Sequence, residues 1–359
     1  MFKRKLMIAL GAAALAAGIA ACGSSSSTAT GVSGAANTSH NSNLPTVTMM
    51  VGGIDKQIYL PYQLAQDLGL YKKYGVNVQL STEQQGGVGA EEAMASGQVD
   101  LAGAWYVHTI DFQEKGKDVV NIVQLSGAPG EREMCGKSSG ISSPAQWTSK
   151  TLGVTDIGSG TDELTEYLAH RYGLSTSQYN RAAVGAGPTF VAALQNSRIA
   201  CGMTSQPTAG AIQGKNVGYT AMNLATTSGA QQWLGGAYPA AGVLARADWV
   251  ASHKQVAQDV VNALVATMHW IATHTAAQIA DAMPSQFVSN GLTTKADYIS
   301  ELASDKGQFL PDGIMPANGP QTVLAVEKLV GNAPHPISLA GTYTNSFAIA
   351  ANQLEGYTK

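Results

Sequence analysis

Two adjacent aromatic side chains directly follow a predicted strand, where they are placed to contact a small molecule. Trp105 and Tyr106 come after a predicted strand from Asp100 to Ala104 and begin a loop that runs to His108. Aromatic rings at a strand end are suited to stacking on another ring or on an alkyl chain. Packing in the hydrophobic core is the alternative for both rings.

The segment from Gly158 to Asp162 is a second chemical signal, because it opens a predicted helix. Three candidate ligand contacts lie in it: Ser159, Gly160 and Thr161. Hydroxyls and free N–H groups at a helix N-terminus bind anions, since that helix end carries partial positive charge. Capping is the alternative, because Ser159 and Asp162 have capping-box spacing. The carboxylates of Asp162 and Glu163 would oppose an anion there.

Two further loops are predicted at the same edge of the sheets. The loop from Gly53 to Tyr59 mixes polar and aromatic side chains that suit a small solute, and a plain surface turn explains it equally well. The Gly-rich turn at 86–89 lets a ligand approach backbone N–H groups, with ordinary turn chemistry as the alternative. The candidates from these loops are Asp55, Gln57, Tyr59, Gly86 and Gly87.

An internal repeat indicates which elements position these loops. The stretch from Tyr74 to Trp105 and the stretch from Tyr172 to Thr204 both run from a helix end through a strand and a Gly-rich turn into a second helix. Before the first copy, a single helix is predicted from Pro61 to Tyr74. Two copies near 100 residues apart do not make a solenoid. The sequence therefore predicts two doubly wound α/β lobes with a cleft between them.

Breaks in the repeat predict where the chain crosses between the lobes. Gly127 to Gly130 interrupts the pattern once, and Tyr238 with Pro239 interrupts it again. The predicted domains are lobe 1 (46–129 and 239–335), lobe 2 (130–238) and a C-terminal extension packing on lobe 1 (336–359). Two hinge crossings permit closure around a ligand.

Residues near the crossings complete the candidate set. Arg132 lies between Glu131 and Glu133, and its forked guanidinium suits a carboxylate or a sulfonate. A hinge ion pair is the alternative for Arg132. Gln206 follows a predicted strand of lobe 2, and Tyr238 lies at the return crossing.

The N-terminal 45 residues have the features of an exported chain. Basic residues 3–5 precede an apolar run from Leu6 to Ala21, which is too short for a stable membrane span. Residues 1–21 are therefore predicted to be a signal peptide. Residues 22–45 contain no Asp, Glu, Lys or Arg and are predicted to form a flexible tether.

Charge and cysteine content narrow the function classes. Without residues 1–21, 18 Lys and Arg stand against 24 Asp and Glu, a net charge of −6. Nucleic-acid binding usually requires a basic surface, so the sequence predicts no nucleic-acid partner. Cys135 and Cys201 are an even number of cysteines in a chain that is predicted to be exported. They either form a disulfide or are two buried free thiols, and the sequence leaves both interpretations open.

Five segments carry a resemblance to a known family: Leu68 to Val78, Ala95 to Ala102, Ser143 to Trp147, Lys150 to Val154, and Ser205 to Pro207. Together they resemble the substrate-binding lipoproteins of ABC importers, which have the type II periplasmic-binding-protein fold. The most similar members bind nitrate, sulfonates, taurine or thiamine precursors. The likeness spans about Thr46 to Gly331, and Ile19 to Cys22 resembles a bacterial lipobox.

The resemblance implies an exported receptor on the outer face of the cell membrane, anchored by lipid on Cys22. Such a receptor is a monomer that closes two lobes on a small solute and delivers it to an ABC permease and its ATPase. The implied solutes are sulfonate-, nitrate- or taurine-like anions and pyrimidine-like rings. A sensor or scavenger of the same fold is the alternative, and an exported enzyme is a third.

The sequence lacks several motifs that are typical of catalysis or of metal binding. The sequence contains no His-Glu-x-x-His, Walker or Rossmann pattern. His269 and His274 are five residues apart, which does not place them on one helical face. Neither Cys pairs nor clustered His occur at ligand spacing. We therefore predict a binding protein that is not an enzyme, with no metal and no cofactor.

Overall fold

Two separate five-stranded sheets organise the chain in the computed structural model, which describes residues 44–83 and 87–357. The predicted signal peptide, nearly all of the predicted tether, the lipidation prediction for Cys22 and the binding prediction for Gly86 lie outside the described residues. Within them the strands are β1 (Thr46–Val51), β2 (Asn77–Thr82), β3 (Leu101–Trp105), β4 (Val119–Gln124), β5 (Glu131–Gly136), β6 (Thr151–Val154), β7 (Asn180–Ala183), β8 (Cys201–Ser205), β9 (Gly218–Asn223) and β10 (Ala241–Arg246).

Helices connect and cover these strands. In the described residues they are α1 (Leu60–Asp67), α2 (Leu70–Lys73), α3 (Val88–Ala95), α4 (Val107–Glu114), α5 (Gly160–Arg171), α6 (Pro188–Gln195), α7 (Thr208–Gly214), α8 (Thr227–Leu234), α9 (Ala247–Ser252), α10 (Lys254–Thr273), α11 (Ala276–Ala282), α12 (Ser285–Val288), α13 (Lys295–Asp305), α14 (Gly319–Val330) and α15 (Ser346–Leu354). None of them, across 44–83 and 87–357, combines the length and apolar character that a membrane crossing requires.

The two sheets have the same strand order. The first, which with its helices we call lobe 1, runs β2-β1-β3-β10-β4, and the second, lobe 2, runs β7-β6-β8-β5-β9. In each sheet the first three strands are parallel, and the fourth is antiparallel to both of its neighbours. That fourth strand is supplied by chain that has just come from the other sheet. The predicted fold class, two doubly wound lobes joined by two crossings, is confirmed.

Strand register shows how closely the lobes correspond. The strand β10 pairs Ala245 with Leu101 of β3, and β5 pairs Cys135 with Cys201 of β8 at the equivalent place. Both β10 and β5 have a register shift at the same point, two residues before these pairs. A disulfide joins Cys135 to Cys201, so lobe 2 is cross-linked where lobe 1 has an Ala-Leu pair.

The helix predicted from Pro61 to Tyr74 is wrong in one respect, because the structure divides it. The first part ends at Asp67, and the second begins at Leu70. Between them Gly69 adopts a left-handed conformation with φ of 69°, which a continuing helix does not allow. An interior glycine in an amphipathic pattern was the signal for this break.

The core of lobe 1 is completed by C-terminal parts of the chain. The long helix α10 buries an apolar face that contains Val260, Leu264 and Met268. The last helix, α15, packs against α10, and Ala348 and Ala351 are buried in that contact. The α10–α15 pair therefore covers the lobe 1 sheet next to β4.

Candidate functional site

A small cavity lies between the carboxyl ends of strands from both lobes. Lobe 1 contributes Lys56, Ile58, Tyr59, Glu91, Trp105 and His108, and lobe 2 contributes Glu131, Thr155, Gly160 and Thr161. The centres of water molecules have about 10 Å³ available, which is room for about one water. The structure therefore shows the two lobes closed on each other.

The loop after β1 places a buried lysine in this cavity. Lys56 Nζ donates a hydrogen bond of 2.9 Å to the Gly52 carbonyl and lies 5.8 Å from the centroid of the Tyr59 ring. Gly52 is required because a Cβ would stand 2.6 Å from the Cα of Gly87. Burial lowers the pKa of Lys56, although nearby carboxylates, Glu131 first among them, oppose the shift.

Trp105 forms a direct contact between the lobes. Its side chain is buried at the end of β3, and its ring meets Tyr238 edge-on, with the centroids 6.3 Å apart. A Cβ added to Gly160 at the start of α5 would overlap the Trp105 ring. The close approach of the two lobes therefore depends on glycine at position 160.

Glu91 and His108 form the acidic side of the cavity in lobe 1. Glu91 Oε1 lies 3.2 Å from His108 Nε2, and His108 Nδ1 is 2.9 Å from Asp111 Oδ2. Burial lowers the pKa of His108, but Glu91 and Asp111 outweigh burial and the pKa rises to about 9. Burial raises the pKa of Glu91 to about 8.

A network of hydroxyls forms the lobe 2 side. Thr155 Oγ1 lies 3.0 Å from Ser159 Oγ and 2.9 Å from Thr161 Oγ1, and the last two are 2.8 Å apart. Ser159 does not cap α5 with its side chain. Instead Asp162 Oδ2 accepts a hydrogen bond of 2.9 Å from the Gly158 amide, and so occupies an N–H group that an anion would need.

Glu131 brings a second buried carboxylate to the lobe 2 side. It starts β5, is 3 % exposed, and its Oε2 has no hydrogen-bond partner among the described residues. Burial raises the pKa of Glu131 to about 7, although Lys56 and Arg132 lower it. A solute that donates a hydrogen bond would satisfy this oxygen.

The structure brings four of the predicted residues to the cavity: Tyr59, Trp105, Gly160 and Thr161. Two more predicted residues contact the lining: Ser159 belongs to the hydroxyl network, and Tyr238 packs on Trp105. Gly87 is the N-cap residue before α3, with φ of 111°, and its amide donates to the Glu83 carboxylate.

Other predicted contacts lie away from the cavity. Tyr106 is a core residue, whose hydroxyl is 2.6 Å from Thr342 Oγ1 and whose ring packs on Tyr343. Asp55 is exposed at the outside of its loop. The side chains of Tyr106 and Asp55 therefore point away from the cleft, into the core and into solvent.

Three predictions near the crossings are also corrected. Arg132 donates two hydrogen bonds, of 2.7 and 2.5 Å, to the carboxylate of Asp305, which agrees with the ion-pair alternative. Gln57 Nε2 donates to the Tyr298 carbonyl, and Gln206 Oε1 accepts from the Gly210 amide. The polar atoms of these three side chains are therefore already used in contacts within the protein.

Sequence reasoning missed five charged or hydroxyl residues of the lining: Lys56, Glu91, His108, Glu131 and Thr155. Lys56 and His108 lie in loops that the sequence had singled out, so testing every polar residue of those loops would have found them. Glu91 lies inside α3 and gave no such signal.

A larger groove of about 670 Å³ lies at the opposite edge of lobe 2, beside Gly136 and Thr151. It includes Ser138, which has the spacing Gly-x-Ser-x-Gly of a nucleophile elbow, but a turn rather than a helix follows it. Among the described residues no histidine lines this groove. We therefore assign the site to the cavity between the lobes.

Comparison with known proteins identifies the family of this chain. The family model described as "NMT1/THI5 like" matches residues 58–278. The chain belongs to the NMT1/THI5-like family. No curated protein matches the sequence.

Solved structures of other proteins share the fold. A protein from Bordetella bronchiseptica RB50 superposes with a TM-score of 0.80 at 25 % identity, covering 87 % of this chain and 98 % of that one. The alkanesulfonate-binding protein SsuA from Xanthomonas axonopodis pv. citri, bound to MOPS, gives 0.67 at 15 % identity, covering 83 % and 98 %. The nitrate-binding protein NrtA from Synechocystis PCC 6803 gives 0.67 at 16 %, covering 87 % and 89 %.

Proposed function

We propose that this chain is the extracytoplasmic receptor of an ABC importer, held on the outer face of the cell membrane by lipid on Cys22. It captures a small organic solute between its lobes and delivers it to the permease. The observation that carries the proposal is the cavity at the strand ends, which both lobes line with buried charged, hydroxyl and aromatic side chains. Membership of a family of substrate-binding proteins supports it.

The lining favours a flat solute with N–H donors over a simple anion. Trp105 and Tyr59 offer ring faces and edges, and Glu131 Oε2 lacks a hydrogen-bond partner among the described residues. A buried acceptor without a donor costs about 1 to 3 kcal/mol, so a ligand that donates a hydrogen bond to Glu131 gains about that amount. A pyrimidine-like ring with amino groups meets these requirements, whereas nitrate and sulfonates only accept.

A thermal-shift comparison tests the proposal on the full chain after bound ligand has been removed by reversible unfolding. Aminopyrimidines are compared with sulfonates and nitrate. A ligand at 100 times its Kd adds about 2.7 kcal/mol and is expected to raise Tm by several degrees. Aminopyrimidines are expected to give the larger shift.

Variants show whether a stabilising solute binds in the cavity. Trp105→Ala should abolish the shift, whereas Trp233→Ala, on the partly buried helix α8 outside the cavity lining, should leave it unchanged. A shift that survives Trp105→Ala would place the solute elsewhere. Loss of uptake of the same solute on gene deletion distinguishes import from sensing, in which uptake is retained.

A further inference from the structure

A buried cluster of acids surrounds His108 on the side of the cavity where α4 of lobe 1 meets α5 of lobe 2. Its members are Glu91, His108, Asp111, Glu163 and Glu327. All but Asp111 are more than nine-tenths buried, and the side chain of Asp111 is 16 % exposed. Four carboxyl groups therefore share one imidazole.

The cluster has too few donors and too little positive charge. Among the described residues no Lys or Arg forms an ion pair with any of its four acids. Glu163 Oε2 and Glu327 Oε1 are buried without hydrogen-bond partners in the same part of the chain. Buried charges in proteins are normally paired or coordinate a metal.

We propose that His108, Asp111 and Glu163 bind a divalent first-row transition metal ion, with Mn²⁺ and Zn²⁺ as the representative cases. One ligand atom from each of the three lies within 4.8 Å of the others. Ligand atoms that stand at about 2.0 to 2.2 Å from a tetrahedral ion are about 3.3 to 3.6 Å from one another. Side-chain movements that bring the three atoms to this spacing complete the site. One imidazole with carboxylates suits these ions better than Ca²⁺ or Mg²⁺, which take oxygen ligands.

The surrounding groups fit the same assignment. Glu91 lies 3.2 Å from His108 Nε2, on the ring edge away from Asp111, and a carboxylate there orients a metal-binding histidine. Asn332 donates a hydrogen bond of 3.0 Å to Glu327 Oε2 and leaves Oε1 facing the cluster without a partner. A groove of about 410 Å³ reaches His108 and Asp111 from outside, which gives an ion access without opening the cavity.

The ion would connect the lobes. His108 and Asp111 are on α4, and Glu163 is on α5. Because the three ligands meet only when these helices are adjacent, metal binding stabilises the closed arrangement relative to an open one. This inference does not depend on the identity of the solute.

Metal titration of the full chain tests the site without any organic solute. After dialysis against a chelator, Mn²⁺ or Zn²⁺ alone is added and bound ions are counted by equilibrium dialysis. We expect one ion per chain. The affinity for the ion should be at least about tenfold lower in each of Asp111→Asn and Glu163→Gln than in the parent. Small-angle scattering should show that the ion reduces the radius of gyration of the parent chain and not of Glu163→Gln.

A matched control lies in the same groove. Glu92 is exposed beside Glu91, so Glu92→Gln should bind the ion as the parent does. Glu163→Gln keeps the side-chain size and removes one of several repelling carboxylates, so it is expected to fold, which circular dichroism checks. The proposal is overturned if the parent binds neither ion at millimolar concentration, or if Asp111→Asn and Glu163→Gln both bind as tightly as the parent. Solute binding in the thermal-shift comparison would stand in either case.

Discussion

The strands β5 and β10 occupy the same place in sheets of the same order, but one is charged and the other is apolar. By register, Glu131, Arg132 and Glu133 of β5 stand where β10 has Ala241, Gly242 and Val243. Both strands are buried along almost their whole length. The two lobes thus share a scaffold. In lobe 2 the strand β5 carries buried charged residues beside the cavity, whereas the equivalent strand β10 of lobe 1 carries none there.

The largest expected effect comes from removing the positive charge of β5. Arg132→Met leaves Asp305, which is 1 % exposed in its side chain, as an unpaired buried carboxylate. Loss of one partner of a buried pair costs about 3 to 5 kcal/mol. Urea unfolding should show this decrease in the free energy of unfolding.

The double variant Arg132→Met with Asp305→Leu is the control, because it removes both charges. It should recover most of the lost stability. Equal loss in the single and double variants would mean that packing around Arg132 matters more than its charge.

Replacing the disulfide of lobe 2 by the residue pair of lobe 1 should have the next largest effect. Cys135→Ala with Cys201→Leu places the Ala-Leu pair of β10 and β3 in β5 and β8. The bond closes a loop with a sequence separation of 66, and losing such a constraint typically costs about 2 to 4 kcal/mol. Urea unfolding measures the change.

Reduction of the parent chain is the matched comparison for this variant. Under reducing conditions the parent should lose about as much stability as the variant has lost, and the variant should not change. A variant that remains as stable as the oxidised parent would show that the cross-link adds nothing to lobe 2.

The third test exchanges Glu133 for the valine of β10. Glu133 is fully buried, and both its carboxylate oxygens lack partners among the described residues. Burial raises its pKa well above the usual value, so the folded chain holds a proton that the unfolded chain releases. Its contribution to stability therefore falls as pH rises above 4.5, by about 1.4 kcal/mol per pH unit.

Glu133→Val should remove this dependence and be more stable than the parent at pH above neutrality. Unfolding curves at several pH values between acid and neutral measure how steeply the free energy of unfolding falls with pH. In Glu133→Val this dependence should be weaker than in the parent by the equivalent of one proton. Glu92→Gln, at an exposed position, should keep the slope of the parent. Identical slopes for the parent and Glu133→Val would mean that Glu133 is ionised in the folded chain.

The smallest expected effect concerns the contact between the lobes. Gly160→Ala puts a methyl group against the Trp105 ring, and overpacking of this kind costs about 1 to 3 kcal/mol. Small-angle scattering should show a larger radius of gyration, because the strain is relieved when the lobes separate. Gly214→Ala, in α7 with no atom near the added carbon, should leave the radius unchanged.

The fold was predictable because the repeat places the same elements in the same order twice, and each element has a local pattern. Gly69 shows the limit of that reasoning, since a helical pattern on both sides concealed a left-handed residue. The strand-end loops were also predictable, and they contain Tyr59, Trp105 and Thr161 of the cavity.

Partnerships between distant residues could not be predicted. Arg132 was a reasonable ligand contact until Asp305, 173 residues later, was seen to neutralise it. Likewise His108 and Glu163 come from different lobes, so no ligand spacing in the sequence could show that they meet. Tyr106 was misplaced because adjacent residues at a strand end can point to opposite sides.

The shared strand order also constrains the sequence of folding events during synthesis. The edge strand β4 pairs with β10, which lies more than a hundred residues later, whereas β5 to β9 are contiguous in the chain. Lobe 2 can therefore assemble as soon as residue 223 is available, although it is second in the chain. In lobe 1, β4 has no strand to pair with until β10 has been synthesised, and such long-range pairing is slow to form. The order of pairing therefore predicts that lobe 1 is completed after lobe 2, although lobe 1 begins first in the chain.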